Sequence, residues 1–330
     1  MIHHATAQGS VIQCIGGSGF IGSRLVARLR ARTHVRVGII DIAPSKRFPD
    51  LVVFGDVRAG DSLRAAIEDG AVLINLAAEH RDDVSPVELY EQTNVEGARQ
   101  VCQVAREKNV RTIIFTSSVA VYGSAQIDTG EDGCISPFNE YGRTKYLAEQ
   151  VYRAWQLEAP LDRTLVIIRP TVVFGEGNRG NVFNLLRAVC SGRFVMVGSG
   201  NNMKSMAYVE NVAAFIEHSL KFLPGIHLYN YTDKPDLTMN ELVALVSRIA
   251  NRGTRVRIRI PFALGLFTGK ALDVFARITG RKFAVSEIRI RKFCMNSVYK
   301  SSAESSGFTA PEPLESALES TIRHEFISAV

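Results

Sequence analysis

The sequence predicts an α/β protein built on a doubly wound parallel sheet, for three reasons. From residue 11 to residue 170, short apolar runs rich in β-branched residues alternate with stretches of helical periodicity. The first apolar run, at residues 11–15, leads through a glycine-rich turn into an amphipathic stretch at residues 23–32. Small or polar residues follow the apolar runs, at the positions where ligands bind in such sheets.

The composition limits the possible classes of protein. The chain has 330 residues, of which 46% are hydrophobic, so it is long enough for one large domain or two modest ones. It contains no run of about 18 uncharged apolar residues, so no membrane span is expected. The N-terminus lacks the charged and apolar regions of a secretion signal. The five cysteines show no metal-ligand spacing and no disulfide framework, so we expect a cytoplasmic protein without a metal.

Three glycines after the first predicted strand indicate a dinucleotide site. Gly16, Gly19 and Gly22 allow a tight turn and a close approach of backbone N–H groups to a pyrophosphate. Asp41 ends the second predicted strand, about 20 residues further on, where a carboxylate can bind both ribose hydroxyls. Because that carboxylate repels a 2′-phosphate, NAD is favoured over NADP, although the basic residues 46 and 47 weaken this preference.

Other predicted strands also end at small or polar residues. These are Asp56 and Val57 after residues 51–54, Ala77 and Ala78 after residues 71–76, Ser118 after residues 110–116, and Arg169 after residues 165–168. Because the carboxyl ends of parallel strands share one edge of a sheet, we expect these residues to lie near the glycine turn. A long helix is predicted over residues 86–107. Asn94 within it is either kept for a polar contact or is a surface residue.

Tyr141 and Lys145 are the candidate acid–base pair. Four residues apart on a helix, their side chains share one face. A phenol has a pKa near ~10, and a nearby cation lowers it because it favours the phenolate. Tyr141 is therefore a plausible general base or acid.

The second half of the chain is less regular. Helices are predicted at residues 181–192, 210–222 and 239–250, and a surface strand at residues 255–260. Residues 261–280 are apolar with helical spacing. They could line a substrate pocket, bury a dimer face or rest on a membrane, and burial inside the protein is the favoured interpretation.

Positive charge is concentrated in one segment. The chain has a net charge of +6, yet residues 251–300 alone contain twelve Lys or Arg against Asp273 and Glu287. A basic segment of this kind is compatible with nucleic acid, an anionic membrane surface or an anionic small substrate.

The motifs resemble those of a known family. They are, in order, Gly16-Gly-Ser-Gly-Phe-Ile-Gly22, Asp41, Asp56-Val57, Asn75-Leu-Ala-Ala78, Asn94-Val-Glu-Gly97, Thr116-Ser-Ser118, Tyr141-x-x-x-Lys145 and Arg169-Pro-Thr-x-Val-Phe-Gly175. The chain resembles the extended short-chain dehydrogenases/reductases, in particular the NAD-dependent epimerase/dehydratase group that acts on nucleotide sugars. The resemblance covers nearly the whole chain, and the first 175 residues carry the specific motifs.

The resemblance implies a role for each matching residue. Ser118, Tyr141 and Lys145 would be catalytic, with Tyr141 removing a proton from a sugar hydroxyl while hydride leaves the same carbon. NAD would be bound by Gly16, Gly19, Phe20, Ile21, Gly22, Asp41, Asp56, Val57, Leu76, Ala77, Ala78, Asn94, Thr116, Tyr141, Lys145 and Arg169. The substrate, a nucleotide-diphosphate sugar, would be contacted by Ser118, Lys204, Arg289 and Arg291.

The resemblance also implies an organisation. Residues 9–175 would form a Rossmann-type NAD-binding domain, to which segments near residues 205–235 return. Residues 176–330 would form most of a smaller, interleaved substrate-binding lobe. A homodimer is expected through residues 86–107 and 139–158. No nucleic acid partner is expected, and peripheral membrane association is left open.

Departures from the family pattern limit the range of reactions that we expect. The 4,6-dehydratases carry an Asp-Glu pair after the catalytic hydroxyl, whereas this chain has Val119 and Ala120, so dehydration is set aside. His80 stands where a Lys is common, and Lys204 replaces an Arg with loss of its bidentate fork.

The leading hypothesis is a nucleotide-sugar epimerase that oxidises a sugar carbon, C4 being favoured, and returns hydride to its opposite face. The alternative within the class is an NAD(P)H-dependent 4-ketoreductase that makes a deoxysugar nucleotide. A non-enzymatic or RNA-binding member is disfavoured by the intact Ser118, Tyr141 and Lys145. A redox enzyme for apolar, steroid-type substrates would explain residues 261–280, but the cations at Lys204 and residues 289–292 favour an anionic substrate.

Overall fold

The computed structural model describes residues 11–32, 34–81, 84–123, 127–251, 258–279 and 287–327. The strands within these ranges are β1 (Val11–Ile15), β2 (Arg36–Asp41), β3 (Val52–Phe54), β4 (Val72–Asn75), β5 (Thr112–Thr116), β6 (Thr164–Pro170), β7 (Val172–Phe174), β8 (Val195–Val197), β9 (Met203–Tyr208), β10 (Gly225–Tyr231), β11 (Asp233–Thr238) and β12 (Ile258–Ile260). The α-helices are α1 (Phe20–Arg30), α2 (Gly60–Ala66), α3 (Glu88–Tyr90), α4 (Gly97–Glu107), α5 (Glu140–Leu157), α6 (Asn181–Cys190), α7 (Val209–His218), α8 (Met239–Ile249), α9 (Phe262–Thr279), α10 (Glu287–Cys294) and α11 (Leu314–Ile322).

The central element is a seven-stranded sheet in the order β10-β6-β5-β4-β1-β2-β3. Every neighbouring pair in it is parallel. Strands of such a sheet are covered on both faces, so their sequences are continuous apolar runs. β6 is an example, because it is buried at every position. The predicted doubly wound α/β fold is confirmed.

Helices cover the two faces of this sheet with separate cores. On one face, α1 and α7 pack over the strands through residues such as Leu25 and Phe215. On the other face, α2, α4 and α5 pack through residues such as Leu63, Val101 and Trp155. The chain order reverses between β1 and β4, so the carboxyl ends of these two strands flank the crevice in which such sheets bind ligands.

The later residues form a smaller lobe that interleaves with the sheet. A three-stranded sheet, β11-β9-β7, and a two-stranded sheet, β12-β8, belong to it. α6, α8 and α11 enclose its core with residues such as Leu186, Leu242 and Leu318. β10 leaves the lobe and joins the central sheet beside β6. The exact division of the chain near residue 175 stays a prediction.

Two predicted helices differ from the structure in an informative way. The helix expected over residues 86–107 contains a π-helical turn at Glu91–Glu96 between α3 and α4, and Asn94 lies in that turn. The helix expected over residues 261–280 forms as α9, but its favoured burial inside the protein is wrong for part of its surface. Leu264 is 54% exposed, Phe267 71% and Phe275 51%.

The strand expected over residues 255–260 is present as Ile258–Ile260, and residues 252–257 lie outside the described part of the chain. Among the helices of the described ranges, none combines the length and the apolar character needed to cross a membrane.

Candidate active site

The glycine turn between β1 and α1 is packed too closely for a side chain at Gly16 or Gly22. Gly16 has a φ of +77°, and a Cβ atom there would lie 2.7 Å from the backbone nitrogen of Ala77. A Cβ on Gly22 would lie 2.6 Å from the Cα of Gly17. Phe20 and Ile21, which begin α1, pack partly against the core of the smaller lobe. The turn therefore presents its backbone at the carboxyl edge of the sheet, as a pyrophosphate requires.

Asp41 lies at the end of β2 and holds the glycine turn. Its Oδ2 accepts a hydrogen bond of 3.0 Å from the backbone N–H of Ser18. Its Oδ1 accepts one of 3.0 Å from the backbone N–H of Ala43. The carboxylate is partly exposed beside the turn, and its remaining lone pairs can accept from the hydroxyls of a ribose.

The predicted adenine contact by Asp56 and Val57 has competing partners in the protein. Asp56 accepts from the Arg58 guanidinium, 2.6 Å between Oδ2 and Nη2, and this bond holds the pKa of the Asp56 carboxyl below its usual value. The Val57 side chain is buried against Gly97, where a Cβ would lie 3.0 Å from Val57 Cγ2. Val57 therefore braces the end of β3 against α4, Asp56 is occupied by Arg58, and an adenine contact by either residue stays a prediction.

The segment after β4 is held by two asparagines. Asn75 Oδ1 accepts from the backbone N–H of Ala77 at 3.0 Å. Asn94 is buried; its Oδ1 accepts from the N–H of Glu79 at 2.9 Å, and its Nδ2 donates to Thr144 Oγ1 at 3.0 Å. Asn94 is thus kept for polar contacts, and the surface alternative is wrong. It joins the segment containing Leu76, Ala77 and Ala78 to α5.

Two hydroxyl groups lie at the end of β5. Ser118 is half-buried, and its Oγ accepts from the backbone N–H of Ala120 at 3.1 Å, which leaves its own proton to donate. Thr116 Oγ1 is buried and has no hydrogen-bond partner within the described part of the chain. Such a group costs free energy unless it is satisfied, so it favours a polar ligand at this edge.

Helix α5 is brought against the Ser118 segment by residues that the sequence did not single out. Asn139 caps the helix, and its Oδ1 accepts from the backbone N–H of Gly142 at 2.9 Å. A Cβ on Gly142 would lie only 2.4 Å from the carbonyl oxygen of Ala120. This close approach fixes the first turn of α5, which carries Tyr141, beside the segment that carries Ser118. A glycine directly after the tyrosine was the signal available in the sequence.

Lys145 lies one turn further along α5 and is only 2% exposed. Its Nζ stands 4.3 Å from the ring centroid of Phe115, at the end of β5. Burial lowers the pKa of Lys145 to about 7, and the negative charge of Glu149 opposes the shift in part. A hydroxyl-rich or anionic ligand beside Lys145 would therefore stabilise the charged form of its side chain.

Arg169 lies at the end of β6 in a buried ion pair. Its Nε and Nη2 donate to Glu149 Oε1 and Oε2 at 2.8 and 2.6 Å, and its Nη1 donates to Tyr122 Oη at 2.7 Å. Ser117 Oγ donates to the same carboxylate at 2.5 Å. Because the guanidinium is committed to these protein groups, a cofactor contact by its side chain stays a prediction.

The predicted substrate residues lie in the smaller lobe. Lys204 is on β9, and its Nζ donates to the carbonyl oxygen of Met295 at 2.6 Å. Burial lowers the pKa of Lys204 to about 8. Arg291 is exposed and forms an ion pair with Glu287. Arg289 lies on α10, and its side chain is outside the described residues. His80 is exposed, with its Nδ1 3.5 Å from the carbonyl oxygen of Ala78.

The residues at this edge fit NAD. The glycine turn leads into the N-terminus of α1, where a pyrophosphate can bind, Asp41 can accept from ribose hydroxyls, and the unsatisfied Thr116 Oγ1 can bond a polar ligand. A parallel sheet with this turn and with Tyr141-x-x-x-Lys145 beside a serine is characteristic of the short-chain dehydrogenases/reductases. More narrowly, the chain belongs to the NAD dependent epimerase/dehydratase family, whose sequence model matches residues 12–230.

Relatives and solved structures agree with this assignment. The chain is 45% identical over 317 residues to an N-acetyl-alpha-D-glucosaminyl-diphospho-ditrans,octacis-undecaprenol 4-epimerase of Escherichia coli O157:H7, covering 96% of this chain and 95% of the relative. It is 26% identical over 283 residues to a UDP-glucose 4-epimerase of Vibrio cholerae, covering 80% and 84%. The solved structure of a Thermus thermophilus UDP-glucose 4-epimerase in complex with NAD has a TM-score of 0.73 at 21% identity, covering 97% and 100%.

These comparisons confirm the predicted family, the fold and the use of NAD. They also confirm an enzyme of the sugar epimerase type, and the ketoreductase alternative is not favoured. The roles predicted for single residues rest on the geometry described above and stay predictions.

Proposed function

We propose that the protein is a 4-epimerase for an N-acetylhexosamine that is carried on the diphosphate of a polyprenol. The similarity to the Escherichia coli O157:H7 enzyme of that specificity supports this substrate, since the 45% identity spans 96% of the chain and so includes the lobe that would bind it. A substrate carried on a nucleotide diphosphate instead shares the sugar and the diphosphate, and the experiment below separates the two.

The close packing of the Tyr141 helix on the Ser118 segment carries the proposed chemistry. Tyr141 removes the proton of the sugar 4-hydroxyl, and the Lys145 ammonium favours the resulting phenolate. Ser118 donates a hydrogen bond to the substrate oxygen while charge develops on it. Held at the glycine turn and by Asp41, NAD would supply the hydride acceptor for C4 and then the hydride donor to its opposite face. Val119 and Ala120 supply no acid–base group, so these residues do not support elimination of water.

Lys204 is the group that we assign to the diphosphate. It is half-buried, and its depressed pKa near 8 means that an anion beside it would stabilise its charged form. Arg291, exposed one turn after Glu287 on α10, is a second candidate cation for the diphosphate. Phosphate oxygens bind well to such cations.

The decisive experiment compares two substrates. The purified protein is incubated with N-acetylglucosaminyl-diphospho-undecaprenol in detergent or with UDP-N-acetylglucosamine, and the released sugars are separated as epimers. Turnover of the lipid-linked substrate at the higher kcat/KM supports the proposal. Efficient turnover of only the UDP-sugar would contradict the lipid carrier, and turnover of neither would contradict the epimerase.

The fate of the cofactor distinguishes an epimerase from a reductase. Because an epimerase regenerates its NAD in each cycle, protein purified without added cofactor should release close to one NAD(H) per chain on denaturation. Little retained cofactor, together with net consumption of NADH, would favour the ketoreductase instead.

We further propose a cytoplasmic homodimer. All five cysteines are free thiols, which suits a reducing compartment in which NAD is available. α4 and α5 pack side by side on one face of the sheet, and residues 86–107 and 139–158 remain the proposed dimer contact. Light scattering coupled to gel filtration would test the dimer, and a monomeric mass would refute it.

A further inference from the structure

Helix α9 shows an apolar surface that the fold turns outward. Leu264, Phe267 and Phe275 follow a spacing of three and then eight residues, so they lie on one side of the helix. All three are more than half exposed. Ala271, exposed between them, continues the same stripe.

Two glycines show that the opposite side of α9 is the one packed on the protein. A Cβ on Gly265 would lie 2.6 Å from Val197 Cγ1 on β8. A Cβ on Gly269 would lie 2.8 Å from the backbone nitrogen of Glu287, where α10 begins. Glycines four residues apart let the helix press against β8 and α10. The stripe with Phe267 therefore faces away from the lobe.

The charge of the segment that contains α9 indicates what could cover this stripe. Residues 251–300 hold an excess of ten positive charges, whereas the whole chain carries +6, so the remainder of the protein is net negative. Lys270 is exposed on the flank of the stripe, and Arg259 is exposed in the preceding strand. An apolar helical side within a basic segment matches a membrane surface with anionic headgroups.

The position of α9 connects this surface with the proposed diphosphate site. α10 packs against Gly269 of α9, and its end is held by Cys294 Sγ, 3.3 Å from the carbonyl oxygen of Val197. The next residue, Met295, accepts the hydrogen bond from Lys204 Nζ. One short helical hairpin therefore links the outward stripe of α9 to the cation that we assign to the diphosphate.

We infer that Leu264, Phe267, Ala271 and Phe275 form a membrane-docking surface that rests in the headgroup region of an anionic bilayer. This inference rests on the proposed function, because a polyprenol substrate must be taken from a bilayer. Docked on α9, the protein is held at the bilayer while α10 joins the docked helix to the Lys204 segment, so the polyprenyl chain can stay in the lipid.

The test is vesicle flotation with the full-length, NAD-containing protein. Vesicles of phosphatidylcholine alone are compared with vesicles containing about one third phosphatidylglycerol. The protein should float with the anionic vesicles, and high salt should weaken the association. Leu264→Asp combined with Phe267→Asp should reduce the bound fraction about tenfold or more. A matched control, Leu161→Asp with Leu223→Asp, makes the same change at exposed leucines outside α9 and should float like the wild type.

Activity separates this inference from the proposed function. On a water-soluble N-acetylglucosaminyl diphosphate with a short isoprenyl chain, the α9 variant should turn over like the wild type, which also shows that it is folded. On undecaprenol-linked substrate in vesicles it should be about tenfold slower or more.

Three outcomes would overturn the docking surface. One is wild-type protein that does not float although it epimerises the soluble substrate. The second is an α9 variant that floats as well as the wild type. The third is an α9 variant that turns a dimer into a monomer while neither form floats, since a second copy of the chain would then cover the stripe. Flotation without turnover of any diphosphate-linked sugar would instead refute the proposed function and leave the surface standing.

Discussion

Replacing Arg169 with Met tests whether this residue stabilises the fold or binds the cofactor. The guanidinium is almost fully buried, and two of its nitrogens donate to the Glu149 carboxylate. Met has a similar length and no charge, so the variant fills most of the same space. It leaves Glu149, which has no exposed surface, without its cation.

The magnitude follows from the burial of the pair. Removing one partner of a buried ion pair typically costs about 3–5 kcal/mol, because the remaining charge is uncompensated. We therefore expect Arg169→Met to lower the free energy of unfolding by about 4 kcal/mol. In the double variant with Glu149→Met both charges are absent, and much of the loss should be recovered. The Ser117 hydroxyl then loses its acceptor and Tyr122 Oη loses a donor, at a cost of about 1 kcal/mol each.

Urea unfolding of cofactor-stripped protein measures these differences, and the NAD content after reconstitution measures binding. The expected pattern is a large loss in the single variant, a smaller loss in the double variant, and NAD binding in whatever fraction is folded. Wild-type stability of Arg169→Met together with lost NAD binding would show that the guanidinium serves the cofactor and that the ion pair contributes little.

Three further predictions concern residues at the same edge of the sheet. Gly142→Ala should lower kcat about a hundredfold, because its Cβ would push α5 away from Ala120. The control Gly38→Ala has no neighbour nearer than 3.6 Å to the added Cβ and should keep the wild-type kcat. Equal kcat values for the two variants would refute this prediction. Tyr141→Phe should lose about three orders of magnitude in kcat with NAD retained, while Tyr146→Phe on the same helix stays active. In the NAD-free protein the pKa of Lys145 is lowered to about 7, so between that pH and about 10.4 only the unfolded chain holds the proton. The difference in unfolding free energy between the wild type and Lys145→Met should therefore rise by up to about 1.4 kcal/mol per pH unit in that window. Urea unfolding at pH 7, 8 and 9 measures this difference, and a difference that does not change with pH would contradict the prediction.

Local patterns were sufficient to predict the half of the molecule that contains the parallel sheet. The alternation of apolar runs and helical stretches specifies a parallel sheet, because only such a sheet buries continuous apolar strands on both faces. The glycine turn and Asp41 follow β1 and β2 directly, so their meeting at one edge needs no long-range information. The Tyr141 and Lys145 pair follows in the same way from the pitch of one helix.

Contacts between distant segments could not be predicted in this way. Asn94 was equally compatible with the surface until its bonds to Glu79 and Thr144 were known. Arg169 was assigned to the cofactor by resemblance, whereas its side chain pairs with Glu149, twenty positions earlier on α5. Gly142 stands directly after Tyr141 in the sequence, but its role became clear only from the position of Ala120.

In the smaller lobe, α9 shows most clearly the difference between what the sequence predicts and what the tertiary structure decides. The sequence by itself determined that residues 261–280 form an apolar helix within a basic segment, and that the chain has the motifs of an NAD-dependent sugar epimerase. Only the tertiary structure decided which side of that helix is covered. Helical spacing defines stripes but not their neighbours, and the close packing of Gly265 and Gly269 on β8 and α10 turns Phe267 outward.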